Sequence, residues 1–119
     1  MKLYCEIVND DILPAVRSII ARELLTTYKL KQMEAAKLMH LSQPAISNYS
    51  KQSRGKKVSV IEKNAEVMAM VDDLTKKIVD WQISEKQIYI DLCKIINRIK
   101  DTEIPQSLTG GEVIDCSSL

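Results

Sequence analysis

Residues 32–49, QMEAAKLMHLSQPAISNY, carry the pattern on which our fold prediction depends. The stretch predicts two short helices joined by a tight turn, with the first helix over Gln32–Met39. Ser42 is the predicted N-cap of the second helix, and the proline that follows is tolerated because its position lacks an intrahelical partner for an amide N–H. Ala36 lies on the inner face of the first helix, and Ile46, ten residues later, can pack back under that helix.

The second helix of this pair, predicted over residues 43–50, has a polar outer side. With Ile46 buried, the side chains of Gln43, Ser47 and Asn48 point outward. Such a helix suits the major groove of DNA, whose width admits a helix and whose base edges hydrogen-bond with Gln, Asn and Ser. The alternative is a plain helical hairpin, because an N-cap and apolar spacing occur in any helical bundle.

The distribution of charge favours the DNA interpretation. The chain has a net charge of +1, but residues 29–57 alone carry +6, which leaves −5 for the remainder. The segment SKQSRGKK, residues 50–57, predicts a basic loop directly after the outward-facing helix. A positive field at this place indicates a nucleic-acid partner. The basic residues that we expect to lie against the sugar–phosphate backbone, rather than only in solvent, are Lys51, Arg54, Lys56 and Lys57.

Composition predicts an all-α protein. A chain of 119 residues is expected to form one domain. Apolar residues make up 45% of it but aromatic residues only 4%, without a phenylalanine, so aliphatic side chains must fill the core. Glycine and proline, at three each, are scarce, which is typical of helical folds.

Apolar spacing predicts a core helix before the opening stretch. Asp10 or Asp11 can cap this helix, which runs to about Thr27 and has a wide apolar face. Residues 1–9 stay open at this point, since a short strand, an irregular arm and an extension of the core helix all fit their pattern.

Two longer helices are predicted in the second half of the chain. Ser59, with a Glu three residues later, forms a capping box for a helix over 60–80, and Ser84, with a Gln three residues later, does so for a helix over 84–100. A proline and a glycine pair then predict a loose tail. The predicted domains are a helix-turn-helix region with an N-terminal arm (1–58), a helical pair that completes the core and dimerises (59–104) and a flexible tail (105–119).

The apolar stripes of these two helices predict a homodimer. Three short helices cannot cover both long ones, and one small DNA-binding module buries too little surface for high affinity. The alternative is that both apolar stripes pack only within one chain. The residues predicted to join two protomers are Val67, Val71, Leu74, Ile78, Trp81, Ile88, Leu92, Ile95 and Ile99.

The first part of the chain resembles a known family. Residues 11–62 resemble the Cro/repressor-like (XRE-type) helix-turn-helix transcription regulators, and the segments CEIV, LPAVRSIIAREL, SQPAISNYS and RGKKV are similar to a group of small archaeal regulators. The likeness covers about the first 65 residues well and the last 40 weakly. The predicted fold class is therefore all-α, with a lambda-repressor-like helix-turn-helix domain followed by two longer C-terminal helices.

This resemblance implies roles for individual residues. Gln32 would bond a phosphate and brace Gln43, which would then reach a base, typically adenine. Ser47 and Asn48 match family positions that contact bases or the backbone. Ser42 would cap the helix and also meet a phosphate.

His40 is the position at which the chain departs from the family. The family usually has glycine there, because the turn needs a left-handed residue, and histidine adopts that conformation more often than most residues do. As the sole histidine it has no set of catalytic partners nearby. The sequence shows no Gly-rich phosphate loop, paired carboxylate site or nucleophile constellation, so we predict that the protein is not an enzyme.

The cysteines predict neither a metal site nor a cofactor. Cys5, Cys93 and Cys116 lack the close pairs typical of zinc sites. Relatives in the archaeal group often carry a cysteine pair near Cys93 that this chain lacks, and we interpret Cys93 as a small buried side chain. The pattern of a signal peptide and an apolar run long enough to span a bilayer are both missing, which predicts a cytoplasmic protein with reduced thiols and no membrane partner.

The sequence therefore predicts a sequence-specific transcription regulator that binds double-stranded DNA. One rival is a helix-turn-helix that binds proteins, such as a coactivator or bridging factor. Another is an antitoxin-like partner protein, whose residues 60–100 bind a different chain. RNA is a less favoured partner than DNA. Proteins that bind single-stranded RNA stack its bases on aromatic side chains, and residues 29–57 have only tyrosines near their ends.

Overall fold

Helices build almost the whole fold around a buried aliphatic core, as the composition predicts. The structure is a computed structural model that describes residues 1–118, apart from the side chain of Ser118. In chain order its elements are β1 (Lys2–Leu3), α1 (Tyr4–Ile7), a π-helical turn (Val8–Ile12), α2 (Leu13–Thr26), α3 (Gln32–Met39), α4 (Gln43–Gln52), α5 (Lys56–Glu62), α6 (Ala65–Trp81), α7 (Glu85–Lys100), α8 (Ile104–Thr109), β2 (Val113–Ile114) and a 3-10 turn (Cys116–Ser118).

Residues 1–9, which the sequence left open, form β1 and the start of a long helical stretch. The helix α1, the π-helical turn and α2 follow one another without a break. The prediction that Asp10 or Asp11 caps a separate helix is therefore wrong. Tyr4 and Ile7 are buried in the core, so the helix gains apolar contacts by starting before the two aspartates.

The predicted core helix is confirmed as α2, the centre of the fold. Its buried residues include Val16, Ile19, Ile20 and Leu24, at the three- and four-residue spacing of one helical face. The helices α3, α4, α5 and α6 all pack against α2. This arrangement holds α4 to the core while its opposite side faces outward.

The helix predicted over 60–80 is in fact two helices. The first ends at Glu62, and Asn64 caps the second through its side-chain oxygen, which accepts a hydrogen bond of 3.0 Å from the Val67 N–H. Ile61 and Val67 would lie about 120° apart on one continuous helix, and the break allows both to be buried. Ser59 lies inside α5, so its predicted role as a cap is also wrong.

The loop predicted over 50–57 is shorter than expected. The helix α4 continues to Gln52 and α5 already begins at Lys56, which leaves residues 53–55 between them. Val58 is buried, so the start of α5 is anchored in the core. Most of the basic residues therefore stand on helix ends rather than in a loop.

Ser84 is confirmed as the N-cap of the last long helix, but the predicted capping box is incomplete, because the Gln87 side chain bonds to Asp91 over 3.1 Å. Ser84 Oγ accepts a hydrogen bond of 3.2 Å from the Gln87 N–H at the start of α7. This helix packs against α6 and buries its own apolar seam. In the described part of the chain, these two helices included, no helix is both long and apolar enough to cross a membrane.

The structure differs from the flexible tail predicted over 105–119. The helix α8 packs into the core through the buried residues Ile104 and Pro105. After it, β2 pairs with β1 as a parallel two-stranded sheet, and Asp115 pairs with Lys100 over 3.1 Å. Proline was interpreted as the mark of a loose tail, but it is also tolerated in the first turn of a helix, where Pro105 lies. Leu119 lies outside the described residues.

We expect a gain in stability from replacing Gln82 with glycine. Gln82 ends α6 in the left-handed conformation, with φ of 47°, where a Cβ atom causes strain. Gln82→Gly should raise the free energy of unfolding by about 1 kcal/mol, measured by urea denaturation. Gln82→Ala keeps the Cβ atom and should have little effect, so an equal gain from alanine would contradict the explanation.

Candidate nucleic-acid interface

A left-handed residue turns the chain between α3 and α4. His40 has φ of 57° and ψ of 39°, the conformation expected for this position from the sequence. The Leu41 N–H donates to the Ala36 carbonyl over 3.0 Å, and the His40 N–H donates to the Lys37 carbonyl over 3.3 Å. These two bonds form a Schellman motif, which satisfies the last carbonyls of α3 and fixes the direction in which α4 leaves.

The helix α4 is held at its start and on its inner side. Ser42 is its N-cap, as predicted, and Ser42 Oγ accepts a hydrogen bond of 3.2 Å from the Ala45 N–H. Ile46 is fully buried. Gln43, Ser47 and Lys51 follow at four-residue intervals and thus share one side of the helix.

Gln43 is held in place by Gln32, the contact that the family resemblance implied. The Gln43 side-chain amide donates a hydrogen bond of 2.7 Å to Gln32 Oε1. Gln43 and Asn48 are exposed and Ser47 is half-buried, so the three predicted base-contacting residues lie at or near the surface. Gln43 keeps one amide hydrogen and its carbonyl oxygen for another partner, and this donor–acceptor pair matches the major-groove edge of adenine.

Most basic residues of the 29–57 segment have no acidic partner. Within residues 1–118, Lys57 is the one cation of this segment that forms an ion pair. Unpaired cations concentrate a positive potential on the side where α3, α4 and the start of α5 meet solvent. The cations of this segment without an ion-pair partner among the described residues are Lys29, Lys31, Lys37, Lys51, Arg54 and Lys56.

Lys57 has a structural role that the sequence did not reveal. Its ammonium group forms an ion pair with Asp11, whose side chain is almost completely buried. A buried carboxylate without a cation would be strongly destabilising, so Lys57 stabilises the π-helical turn that precedes α2. The Lys57 side chain is still 60% exposed, so the phosphate contact predicted for it stays a prediction beside this ion pair.

Arg22 fixes the position of the chain between α4 and α5. Its guanidinium donates to Glu62 over 2.9 Å and to the Ser53 carbonyl over 3.4 Å, so it joins α2 to both neighbouring segments. Burial lowers the pKa of Arg22, but hydrogen bonds and charge from Glu62 and Glu23 outweigh it and raise that pKa overall. Spacing could not identify this role of Arg22, because Ser53 and Glu62 lie 31 and 40 positions away.

A cleft of about 460 Å³ is lined by the π-helical turn and the start of α2 on one hand and by residues 51–58 on the other. Asp10 and Asp11 line one wall, while Lys51, Lys56 and Lys57 line the other. The structure therefore brings these three lysines together, although they lie on two helices. Within residues 1–118 no group of three or more His, Cys, Asp or Glu side chains is arranged to hold a metal ion.

The predicted dimer interface is wrong for eight of its nine residues. All except Trp81 are buried within a single chain, where α6 and α7 pack against each other and against the rest of the core. They cannot contact a second chain unless the fold opens. Trp81 is 77% exposed. The buried residues are Val67, Val71, Leu74, Ile78, Ile88, Leu92, Ile95 and Ile99.

All three cysteines are exposed free thiols. The interpretation of Cys93 as a buried side chain is therefore wrong. Its neighbour Leu92 faces the core, but Cys93 lies about 100° further round α7 and faces solvent. The prediction depended on the position of Cys93 next to Leu92 in the sequence, and adjacent residues of a helix point in different directions.

Comparison of this chain with protein-family models, curated proteins and solved structures gives no match.

Proposed function

We propose that this protein is a transcription regulator that binds double-stranded DNA sequence-specifically through a helix-turn-helix domain. In this proposal α3 and α4 are the two helices of the motif, and α4 lies in the major groove. The observation that carries the proposal is the braced Gln43 side chain. It stands at the exposed start of α4, on the side of the helix that it shares with Ser47 and Lys51.

The dimensions and polarity of α4 support this role. A helix with its side chains is about 10–12 Å in diameter, which fits the major groove, about 12 Å wide, and the ten residues of α4 span about 15 Å. Its outer residues are amides and hydroxyls, which hydrogen-bond to base edges. The Gln32–Gln43 bond limits the freedom of Gln43 before binding, which lowers the entropic cost of a specific contact.

The charges around α4 supply the second part of the argument. Lys51, at the end of α4, and Lys56, at the start of α5, are exposed and lack an ion-pair partner within residues 1–118. Arg54 lies between them and is also exposed. Phosphates that flank the groove would meet these three cations while α4 reads the bases.

Selection of bound sequences from random duplex DNA tests the proposal. The expected result is one enriched motif, and for a dimer a palindrome with half-sites about one helical turn apart. Failure to enrich any motif, together with negligible duplex binding at physiological salt, would exclude the proposed function.

Lys56→Ala should weaken binding to every DNA sequence alike. Each neutralised phosphate adds about 0.9 to the slope of log affinity against log salt, so the variant should lower this slope by about that amount. Binding to operator and to random duplex would be measured between low and physiological salt. The control is Lys76→Ala, which removes an exposed lysine of α6, outside residues 29–57, and should leave the slope unchanged. A loss restricted to the operator would contradict the assignment of Lys56 to the backbone.

We further propose a homodimer that uses the apolar side chains still exposed on α6 and α7. Trp81 is 77% exposed, and Tyr89 and Ile90 are also exposed. Exposed aromatic residues of this kind often anchor protein interfaces. In this proposal these exposed side chains, rather than the buried stripe predicted from the sequence, contact the second protomer.

Trp81→Ala should raise the dissociation constant of the dimer by tenfold or more, measured by sedimentation equilibrium. Met33→Ala removes an equally exposed apolar residue of α3 and serves as the control. A wild-type protein that is monomeric at all concentrations would rule out this interface.

The same surface favours a second candidate function, in which a different protein binds Trp81. The protein would then be an interaction module, such as a bridging factor or an antitoxin-like partner. This alternative predicts negligible affinity for duplex DNA at physiological salt, so the selection experiment separates the two.

A further inference from the structure

The cleft beside the start of α2 extends to the core of the protein. Its volume of about 460 Å³ falls in the range of pockets that hold small molecules, roughly 300–1,000 Å³. Part of its lining is apolar and consists of the buried residues Ala15 and Val58 and the half-buried Pro14. Gly55 also lines the cleft and, because it lacks a side chain, takes up little of its space. The cleft therefore has room for a small apolar group against the core.

An ion pair joins the two walls of this cleft and leaves other charges unpaired. Lys57 pairs with the buried Asp11, so these two lining residues neutralise each other. Asp10, next to Asp11, is exposed and forms no ion pair within the described part of the chain. On the other wall Lys51 and Lys56 are the exposed cations without such a partner. The cleft thus presents one carboxylate that lacks a cation and two ammonium groups that lack an anion.

These charges and the apolar lining match one class of small molecule. A carboxylate has two oxygens that accept hydrogen bonds, so it can meet Lys51 and Lys56 together, while an ammonium group of the same molecule donates to Asp10. An apolar side chain would cover Ala15 and Val58 and remove apolar surface from water. A simple anion such as phosphate would leave the apolar lining uncovered, and Asp10 would repel it. We propose that the cleft binds a free amino acid with an apolar side chain.

Such a ligand would also regulate DNA binding, a step that rests on the proposed function. Lys51 and Lys56 are the residues to which we assign phosphate contacts, and the same ammonium groups would hold the carboxylate of the amino acid. Two ligands that need the same groups lower the affinity for each other reciprocally. At a ligand concentration of about ten times its dissociation constant, we expect the dissociation constant for duplex DNA to rise about tenfold.

Nuclear magnetic resonance of the backbone amides tests the site on the whole protein without DNA. The probes are L-leucine and L-methionine, and both should shift the amide signals of residues that line the cleft. Two compounds matched to leucine are the controls, isocaproate, which lacks the amine, and isoamylamine, which lacks the carboxylate. Each control should bind at least about tenfold more weakly than leucine, because each leaves one wall of the cleft without its charged partner.

Variants of the chain test the two walls separately. Asp10→Asn and Lys51→Met each remove one charge at nearly constant size and should raise the dissociation constant for leucine by about tenfold or more. Lys37→Met removes an exposed lysine of α3 outside the cleft and should leave leucine binding unchanged. Asp11 and Lys57 are left in place, because their pair stabilises the fold. Thermal unfolding of each variant verifies that it is folded.

The outcomes separate the ligand site from the proposed function. The site is overturned if neither amino acid shifts the cleft signals, or if isocaproate, isoamylamine or inorganic phosphate binds as tightly as leucine. Leucine binding that leaves the affinity for duplex DNA unchanged would exclude the regulation. A protein that binds leucine but no duplex DNA would keep the site and exclude the proposed function.

Discussion

Gln43→Ala should weaken binding to the selected operator by about 1–3 kcal/mol, which is roughly a 5- to 150-fold loss of affinity. The substitution removes the amide that Gln32 holds at the exposed start of α4. It leaves the Ser42 cap intact, because that bond uses the Ser42 hydroxyl and a backbone amide. Fluorescence anisotropy on the operator and on single-base variants would show relaxed specificity at one base pair.

The neighbouring residues provide matched controls for this prediction. Gln32→Ala removes the brace but not the reading amide, so it should cause a smaller loss in the same direction. Gln82→Ala changes an exposed glutamine at the end of α6 and should have no effect on DNA binding. An equal loss of affinity for operator and random DNA in Gln43→Ala would count against base contact by this residue.

Ile46→Ala should lower the free energy of unfolding by about 2–4 kcal/mol. Ile46 is fully buried where α4 packs against the core, and alanine leaves a cavity that the surrounding helices fill only in part. The melting temperature of the Ile46→Ala variant should be roughly 10 °C lower than that of the wild type. Thermal unfolding followed by circular dichroism measures this change.

Two variants test the cavity explanation. Ile46→Val removes one methyl group and should cost only about 0.5–1.5 kcal/mol. Ser47→Ala changes the adjacent, half-buried residue and should stay within about 0.5 kcal/mol of the wild type. If Ile46→Ala proved as stable as Ser47→Ala, α4 would not depend on this residue for its position.

Helix caps and the turn at His40 were predicted correctly where the hydrogen bonds that form them join residues close in sequence. Ser42 and Ser84 cap their helices as expected, and each bond joins residues only three positions apart. The turn at His40 likewise depends on bonds to the preceding helix. Ser59 has the same sequence signature as Ser84, but it lies inside α5, because burial of Ile61 and Val67 requires the helix to break later.

Contacts between distant segments could not be predicted in the same way. The stripe on α6 and α7 suggested an uncovered surface, because the sequence did not reveal that α8 and the helix beginning at Tyr4 complete the core. At the candidate interface, the Gln32–Gln43 contact was predicted from the family resemblance. The pairing of Asp11 with Lys57 could not be predicted from spacing, because the two residues lie 46 positions apart.

The pairing of β1 with β2 also has a consequence for the order in which the fold assembles. Contacts within α3 and α4 join residues close in sequence and can form early, whereas this sheet must close more than 100 residues of chain. During synthesis β1 leaves the ribosome long before its partner does. We therefore expect the helical core to form first, with Lys2–Leu3 unpaired until Val113–Ile114 becomes available.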